Sequence, residues 1–160
     1  MALSETILVV EDHSALLRLV RHILEEADFT VLAAATPKEA MRLEAEFPGT
    51  IDLLLSDVRM RGMSGTALAQ RLQEKRPRMR VMLMSGYPDG ALLVLDYGWH
   101  YIEKPFVPAA LVAKIKDILR GEMQHRVPVT ADRLKPLRRR TPQRVSAGRS
   151  AGAPRMQRRA

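Results

Sequence analysis

The sequence contains no cysteine, which excludes disulfides and thiolate metal sites. No stretch approaches the roughly 18 apolar residues of a membrane-spanning helix. The opening MALSETILVV has neither a basic leading segment nor a long apolar core. A secretory signal is therefore not expected, and a cytoplasmic location is. The glycine-rich phosphate loops GxGxxG and GxxxxGK followed by Ser or Thr are both missing. With no substrate-sized insertion either, an ordinary metabolic enzyme is not the expected class. There is no internal repeat.

What is present divides in two. The chain has 160 residues and is 46% hydrophobic, enough for one domain with a sizeable core plus an extension. Its net charge of +8 is unevenly spread. Residues 1–120 hold 15 basic and 16 acidic residues, a net charge of −1, whereas residues 121–160 hold 11 basic and 2 acidic residues, a net charge of +9. A nearly neutral body thus carries a basic extension, and each needs its own reading.

In the body, short apolar runs alternate with helical patterns. ILVV (7–10), TVLAA (30–34), IDLLLS (51–56), RVMLMS (80–85) and HYI (100–102) read as strands. Helical spacing covers 14–27, 36–47, 66–75 and 108–120, and a shorter helix is expected over 88–96. Thr36, Pro37 and Glu39 form a capping box with a compatible proline. Pro108 opens the last helix and Gly121 follows its end. This alternation predicts βαβ units and a parallel sheet covered on both faces. The expected fold is α/β and doubly wound, with five parallel strands in the flavodoxin-like order 2-1-3-4-5.

Such a sheet binds ligands beyond the carboxyl ends of its strands. Strand one is followed by Glu11 and Asp12, and strand three by Asp57. Strand four ends in Ser85, and strand five leads into Glu103, Lys104, Pro105 and Phe106. Four strands deliver polar or charged groups to one edge. Three carboxylates in one crevice invite a hard cation with oxygen ligands, such as Mg2+. A metal, a lysine and a hydroxyl around one aspartate can stabilise phosphoryl charge, and an aspartate can itself attack phosphorus. Taken alone, each residue has a plainer reading. Glu11 and Asp12 would cap a helix, Ser85 would be a turn residue, and Tyr101 and Trp99 would pack locally. His13 and His100 read as surface residues, and the methionines as filling.

The motifs VVED (9–12), LSDVRM…G (55–65), MSGY (84–87) and EKPF (103–106) appear in order. With them, residues 5 to about 120 resemble the receiver domain of bacterial two-component response regulators. The SGYP run and the short region before EKPF are similar to receivers attached to hybrid histidine kinases. The resemblance implies a receiver over 1–121, with Asp57 accepting a phosphoryl group from a histidine kinase. It implies Mg2+ held by Asp12, Asp57 and the backbone carbonyl of Arg59, with Glu11 acting indirectly through water. Ser85 and Lys104 would hold phosphoryl oxygens, and Tyr101 would be the switch aromatic. Gly65 would let the loop turn into its helix. Pro105 matches a proline whose preceding peptide bond is typically cis.

Some positions depart from the family pattern. Arg61 stands where a proline is usual, and Arg59 and Tyr87 lie near the route by which water would remove the phosphoryl group. The segment 122–160 is rich in Arg, Pro, Ala, Ser and Gly and poor in large apolar residues, so it is expected to be a disordered tail. Its densest part, RLKPLRRR (133–140), lacks an aromatic for base stacking. It reads either as a solubilising extension without a function of its own or as a non-specific contact for nucleic acid, another polyanion or anionic membrane, and not as a sequence-specific DNA reader. The leading expectation is a stand-alone phosphorylation switch, served by a histidine kinase and without a dedicated output domain, that relays phosphate to a phosphotransfer protein or docks on a partner when phosphorylated. The alternatives are a receiver-fold binding module that works without phosphorylation and a regulator contacting nucleic acid through the tail.

Overall fold

The computed structural model describes residues 4–86 and 97–121. The elements in chain order are β1 (Thr6–Val10), α1 (Ser14–Glu26), β2 (Thr30–Ala34), α2 (Pro37–Glu46), β3 (Leu53–Asp57), α3 (Gly65–Lys75), β4 (Arg80–Ser85), β5 (His100–Glu103) and α4 (Pro108–Arg120). All strand pairs are parallel, and the sheet order is β2-β1-β3-β4-β5. The doubly wound expectation is met. The helix expected over 88–96, Tyr87 and the segment 122–160 lie outside the described residues.

Period-2 alternation explains why the central strands are apolar throughout. Successive side chains point to opposite faces, and helices cover both. Leu8, Val10, Leu54 and Leu83 face one core with Ala40, Leu68 and Leu72 of α2 and α3. Ile7, Val9, Leu53, Leu55, Met82 and Met84 face the other, with Val20 and Leu24 of α1 and Leu111, Ile115 and Ile118 of α4. Each such side chain contributes roughly 1.5–3 kcal/mol of apolar transfer when fully buried, which fixes the register. Trp99 joins the first core, in keeping with its packing reading.

The boundaries show local chemistry at work. Thr36 accepts the Glu39 N–H at 3.1 Å, and Glu39 reaches back to the Ala35 N–H at 2.9 Å. The capping box thus closes one residue earlier than its usual form. Gly121 ends α4 in the left-handed region at φ 80°. The strand expected over 51–56 runs instead over Leu53–Asp57. Asp52 precedes it, and its carboxylate accepts the Thr6 N–H at 2.8 Å. Asp57 belongs to the strand, in register with Met84, and Glu103 likewise closes β5 in register with Ser85.

Candidate functional site

The ends of β1, β3, β4 and β5 meet at the carboxyl edge of the sheet. Glu11, Asp12 and Asp57 bring one carboxylate oxygen each within 4.8 Å of one another. Glu11 is 1% exposed, Asp57 is half-buried and Asp12 is exposed. An all-oxygen donor set of this kind fits a hard divalent cation such as Mg2+. Only Lys104 forms ion pairs with these acids among the described residues. Its ammonium lies 2.6 Å from Glu11 Oε2 and 3.4 Å from Asp57 Oδ1.

That order of distances refines the sequence reading. The resemblance assigns Lys104 to a phosphoryl oxygen and Glu11 to the metal through water, whereas in the structure Glu11 is the nearer partner of the lysine. Glu11 Oε1 also accepts the His13 N–H at 3.0 Å. A carboxylate withdrawn this far from water requires such partners. The helix-cap reading of Glu11 and Asp12 does not hold. His13 is the N-cap of α1, and its Nδ1 accepts the Leu16 N–H at 3.3 Å. His13 is exposed, as its surface reading has it.

Burial pushes the Asp57 carboxyl above the ordinary carboxylate value, and the nearby Glu11 charge adds to the rise. Lys104 opposes both, by charge and by hydrogen bonding, and the backbone of Arg59 also helps the ionised form. The ionised aspartate is therefore held at a cost that a cation would relieve.

Backbone hydrogen bonds lock the remaining groups together. Val58 N–H donates to Met84 O at 3.0 Å, and Lys104 N–H to Ser85 O at 2.8 Å. Ser85, 3% exposed, thus stands one residue beyond Asp57's partner in the ladder. The Tyr101 hydroxyl donates to the same Ser85 carbonyl at 3.1 Å. Tyr101 is half-buried against the α2–α3 core, so its ring lies along β4. Lys114 of α4 donates to the Tyr101 carbonyl. The Lys104–Pro105 peptide bond is cis.

Gly65 serves by close approach. Its N–H donates to Val58 O at 2.9 Å, and a Cβ there would lie 2.0 Å from the Asp57 carbonyl oxygen. The left-handed turn of the loop falls at Gly62, with φ 87°. Beside the acids opens a cleft of about 520 Å³ lined by Asp12, His13, Thr36, Met60 and Arg61. Arg61 therefore borders the approach to Asp12, and the Arg59 side chain is exposed. Two other cavities of similar size lie elsewhere on the domain.

The parallel 2-1-3-4-5 sheet, with acids and a lysine at its carboxyl edge, is the build of a receiver domain. The sequence matches the response regulator receiver domain family over residues 7–116, and the chain belongs to that family. It is 32% identical over 119 residues to the sensor kinase CckA of Brucella abortus strain 2308, covering 72% of this chain and 13% of that one. Among solved structures, the receiver domain of the hybrid histidine kinase CckA is 33% identical with a TM-score of 0.62, covering 71% of this chain and 98% of that chain. A CheY-like receiver domain protein from Methanospirillum hungatei JF-1 is 31% identical with a TM-score of 0.68, covering 75% and 97%. The chain spans 13% of the kinase, and 32% and 25% of the length of the transcriptional regulators HoxA and DctD. No helix among the described residues is long and apolar enough to cross a membrane.

Proposed function

We propose that the chain is a phosphorylation-controlled switch in which Asp57 is the phosphoacceptor. The observation that carries this is the meeting of Glu11, Asp12 and Asp57 within 4.8 Å of one another around a single lysine. An Asp57 oxygen attacks the phosphorus of a kinase phosphohistidine. The O–P bond forms as the N–P bond breaks, and the leaving imidazole takes up a proton. Asp12, Asp57 and the Arg59 carbonyl would hold Mg2+, with Glu11 acting through water. Bound there, Mg2+ would neutralise charge on the phosphoryl oxygens.

The chain's own groups supply the remaining stabilisation. Lys104 already reaches Asp57, so a modest shift away from Glu11 lets it pair with a phosphoryl oxygen. The Ser85 hydroxyl donates to another. Movement of Ser85 is felt at once by Tyr101, whose hydroxyl is tied to the Ser85 carbonyl. Tyr101 thereby passes the state of Asp57 to the β4–β5 side, where partner binding changes. Residues 1–121 form the receiver, and 122–160 form a separate basic extension available to polyanions. The partners are a histidine kinase and a phosphotransfer protein, and the place of action is the cytoplasm. The catalysis involved is confined to the protein's own phosphorylation and dephosphorylation.

The test is incubation with a labelled phosphorylated kinase or a small phosphodonor with Mg2+. Acid-stable, base-labile label on the wild type and none on Asp57→Asn is the expected result. Label that persists in Asp57→Asn sinks the assignment. Unchanged partner binding by the unphosphorylated protein and by Asp57→Ala would favour a phosphorylation-independent module instead.

A further inference from the structure

The opposite edge of the sheet carries a second polar cleft. It has a volume of about 570 Å³ and is lined by Asp52, Gln73, Arg78, Arg80, Tyr97, Trp99 and His100, among others. Asp52 lies five residues before Asp57, so the two sites are separated by about 16 Å of strand at ~3.3 Å per residue. We propose that this cleft binds a nucleoside phosphate, with the base stacked on Tyr97 and the phosphate held by Arg78 and Arg80.

Three observations converge on that ligand. The first is charge: neither Arg78 nor Arg80 forms an ion pair with any described residue. The acid in the lining, Asp52, already accepts the Thr6 N–H at 2.8 Å. Two guanidiniums against one engaged carboxylate leave the cleft with a net positive charge, and a guanidinium fork matches phosphate oxygens. The second is the platform. Tyr97 and Trp99 are stacked with centroids 4.3 Å apart and planes at 15°. Trp99 is 8% exposed and its Nε1 donates to Gln73 Oε1 at 2.9 Å, which fixes it. Tyr97 remains 48% exposed, so its outer face is open to a planar ring. The third is size, since small-molecule sites commonly fall between about 300 and 1,000 Å³.

His100 offers a reporter. Burial, then the charges of Lys114 and Arg80, hold its imidazole below the ordinary histidine value. A phosphate held by Arg78 and Arg80 would offset the Arg80 field and raise it again. Asp52, Arg78, Arg80 and Lys114 are the charged groups around the cleft and the histidine. Trp99 is the chain's single tryptophan and lines the cleft, so the chain's tryptophan fluorescence comes from a residue at this site.

The experiment titrates the full chain with GMP, guanosine, ribose 5-phosphate and inorganic phosphate. Trp99 fluorescence, calorimetry and the NMR titration of His100 are the readouts. GMP is expected to bind about tenfold or more tighter than guanosine or phosphate, and to raise the His100 pKa. Arg78→Ala should weaken GMP about tenfold, as expected for loss of a charge-assisted contact. Tyr97→Ala should reduce GMP to the level of ribose 5-phosphate. Both substituted residues are exposed, so the fold tolerates them. Asp57→Asn should leave binding unchanged, which separates this site from the phosphoacceptor. GMP binding no tighter than phosphate, or untouched in both variants, overturns the proposal; the latter result assigns the binding to the basic segment 122–160.

Discussion

Two acidic sites in this domain are balanced in opposite ways. Glu44, whose side chain is 7% exposed, meets Arg76 Nε at 3.0 Å and Lys75 Nζ at 3.3 Å. Arg76 also donates to the carbonyls of Glu44, Phe47 and Gly49, closing the end of α2 against the end of α3. One acid is served there by two cations. At the carboxyl edge of the sheet, three acids cluster and one cation, Lys104, pairs with two of them, Glu11 and Asp57, among the described residues. The first cluster is satisfied and holds two helices together. The second has an excess of negative charge, which suits it to receive a cation; burial raises the Asp57 carboxyl and the Glu11 charge adds to that rise. Charge balance separates Glu44 from the acids at the strand ends better than burial does, since Glu44 and Glu11 are both buried.

The largest effect should come from breaking the satisfied cluster. Arg76→Ala leaves Glu44 buried with only the exposed Lys75 and frees three carbonyls. Removing one partner of a buried pair costs about 3 kcal/mol or more, and urea unfolding should show a loss of that order. The folded fraction should still take up phosphoryl label, because Arg76 is remote from Asp57. A stability unchanged within error would mean that the Glu44 cluster contributes no more than a surface pair.

A smaller loss is expected at the join between scaffold and site. In Gly65→Ala the new Cβ meets the Asp57 carbonyl oxygen at 2.0 Å unless the backbone shifts. Overpacking of this kind costs about 2 kcal/mol. The shift falls on Asp57, the proposed phosphoacceptor, so label uptake from a small phosphodonor should slow by about tenfold, as small misplacements of reacting groups do. Normal phosphorylation kinetics with normal stability would show that the α3 start can retreat freely.

How much of this was legible in the sequence follows from what each feature depends on. The central strands declare themselves because burial on both faces demands unbroken apolar runs such as ILVV and LLL. The site residues sit at strand ends, so a correct topology brings Glu11, Asp12, Asp57, Ser85 and Lys104 to one edge. The Glu44–Arg76 tie spans 32 residues in sequence and depends on how two helix ends pack, which no local pattern reveals. His13 as a cap was missed because histidine is not a preferred N-cap. Gly65 was read as a turn glycine, whereas its lack of Cβ matters for close approach. The preference of Lys104 for Glu11 over Asp57 is a matter of under 1 Å, and spacing along the chain cannot supply it.

The smallest effect, and the sharpest test of the comparison, is a gain. Asp57 has a folded-state pKa above its unfolded value, so the folded chain holds that proton more tightly than the unfolded chain does. Its ionisation therefore opposes folding. The penalty is absent below the unfolded value of 3.8, grows as pH rises through the window between the two values, and is complete above the folded one. Asp57→Asn removes it, and should unfold at a slightly higher urea concentration than wild type at neutral pH. That advantage should shrink as pH falls through the window. Millimolar Mg2+ should reverse the order, because ligand binding stabilises the native wild type while the amide is a poor ligand for the cation. A variant less stable than wild type at neutral pH without Mg2+ would mean that the Lys104 pair outweighs burial. Asp57 would then be a satisfied acid like Glu44, and the contrast between the two clusters would fail.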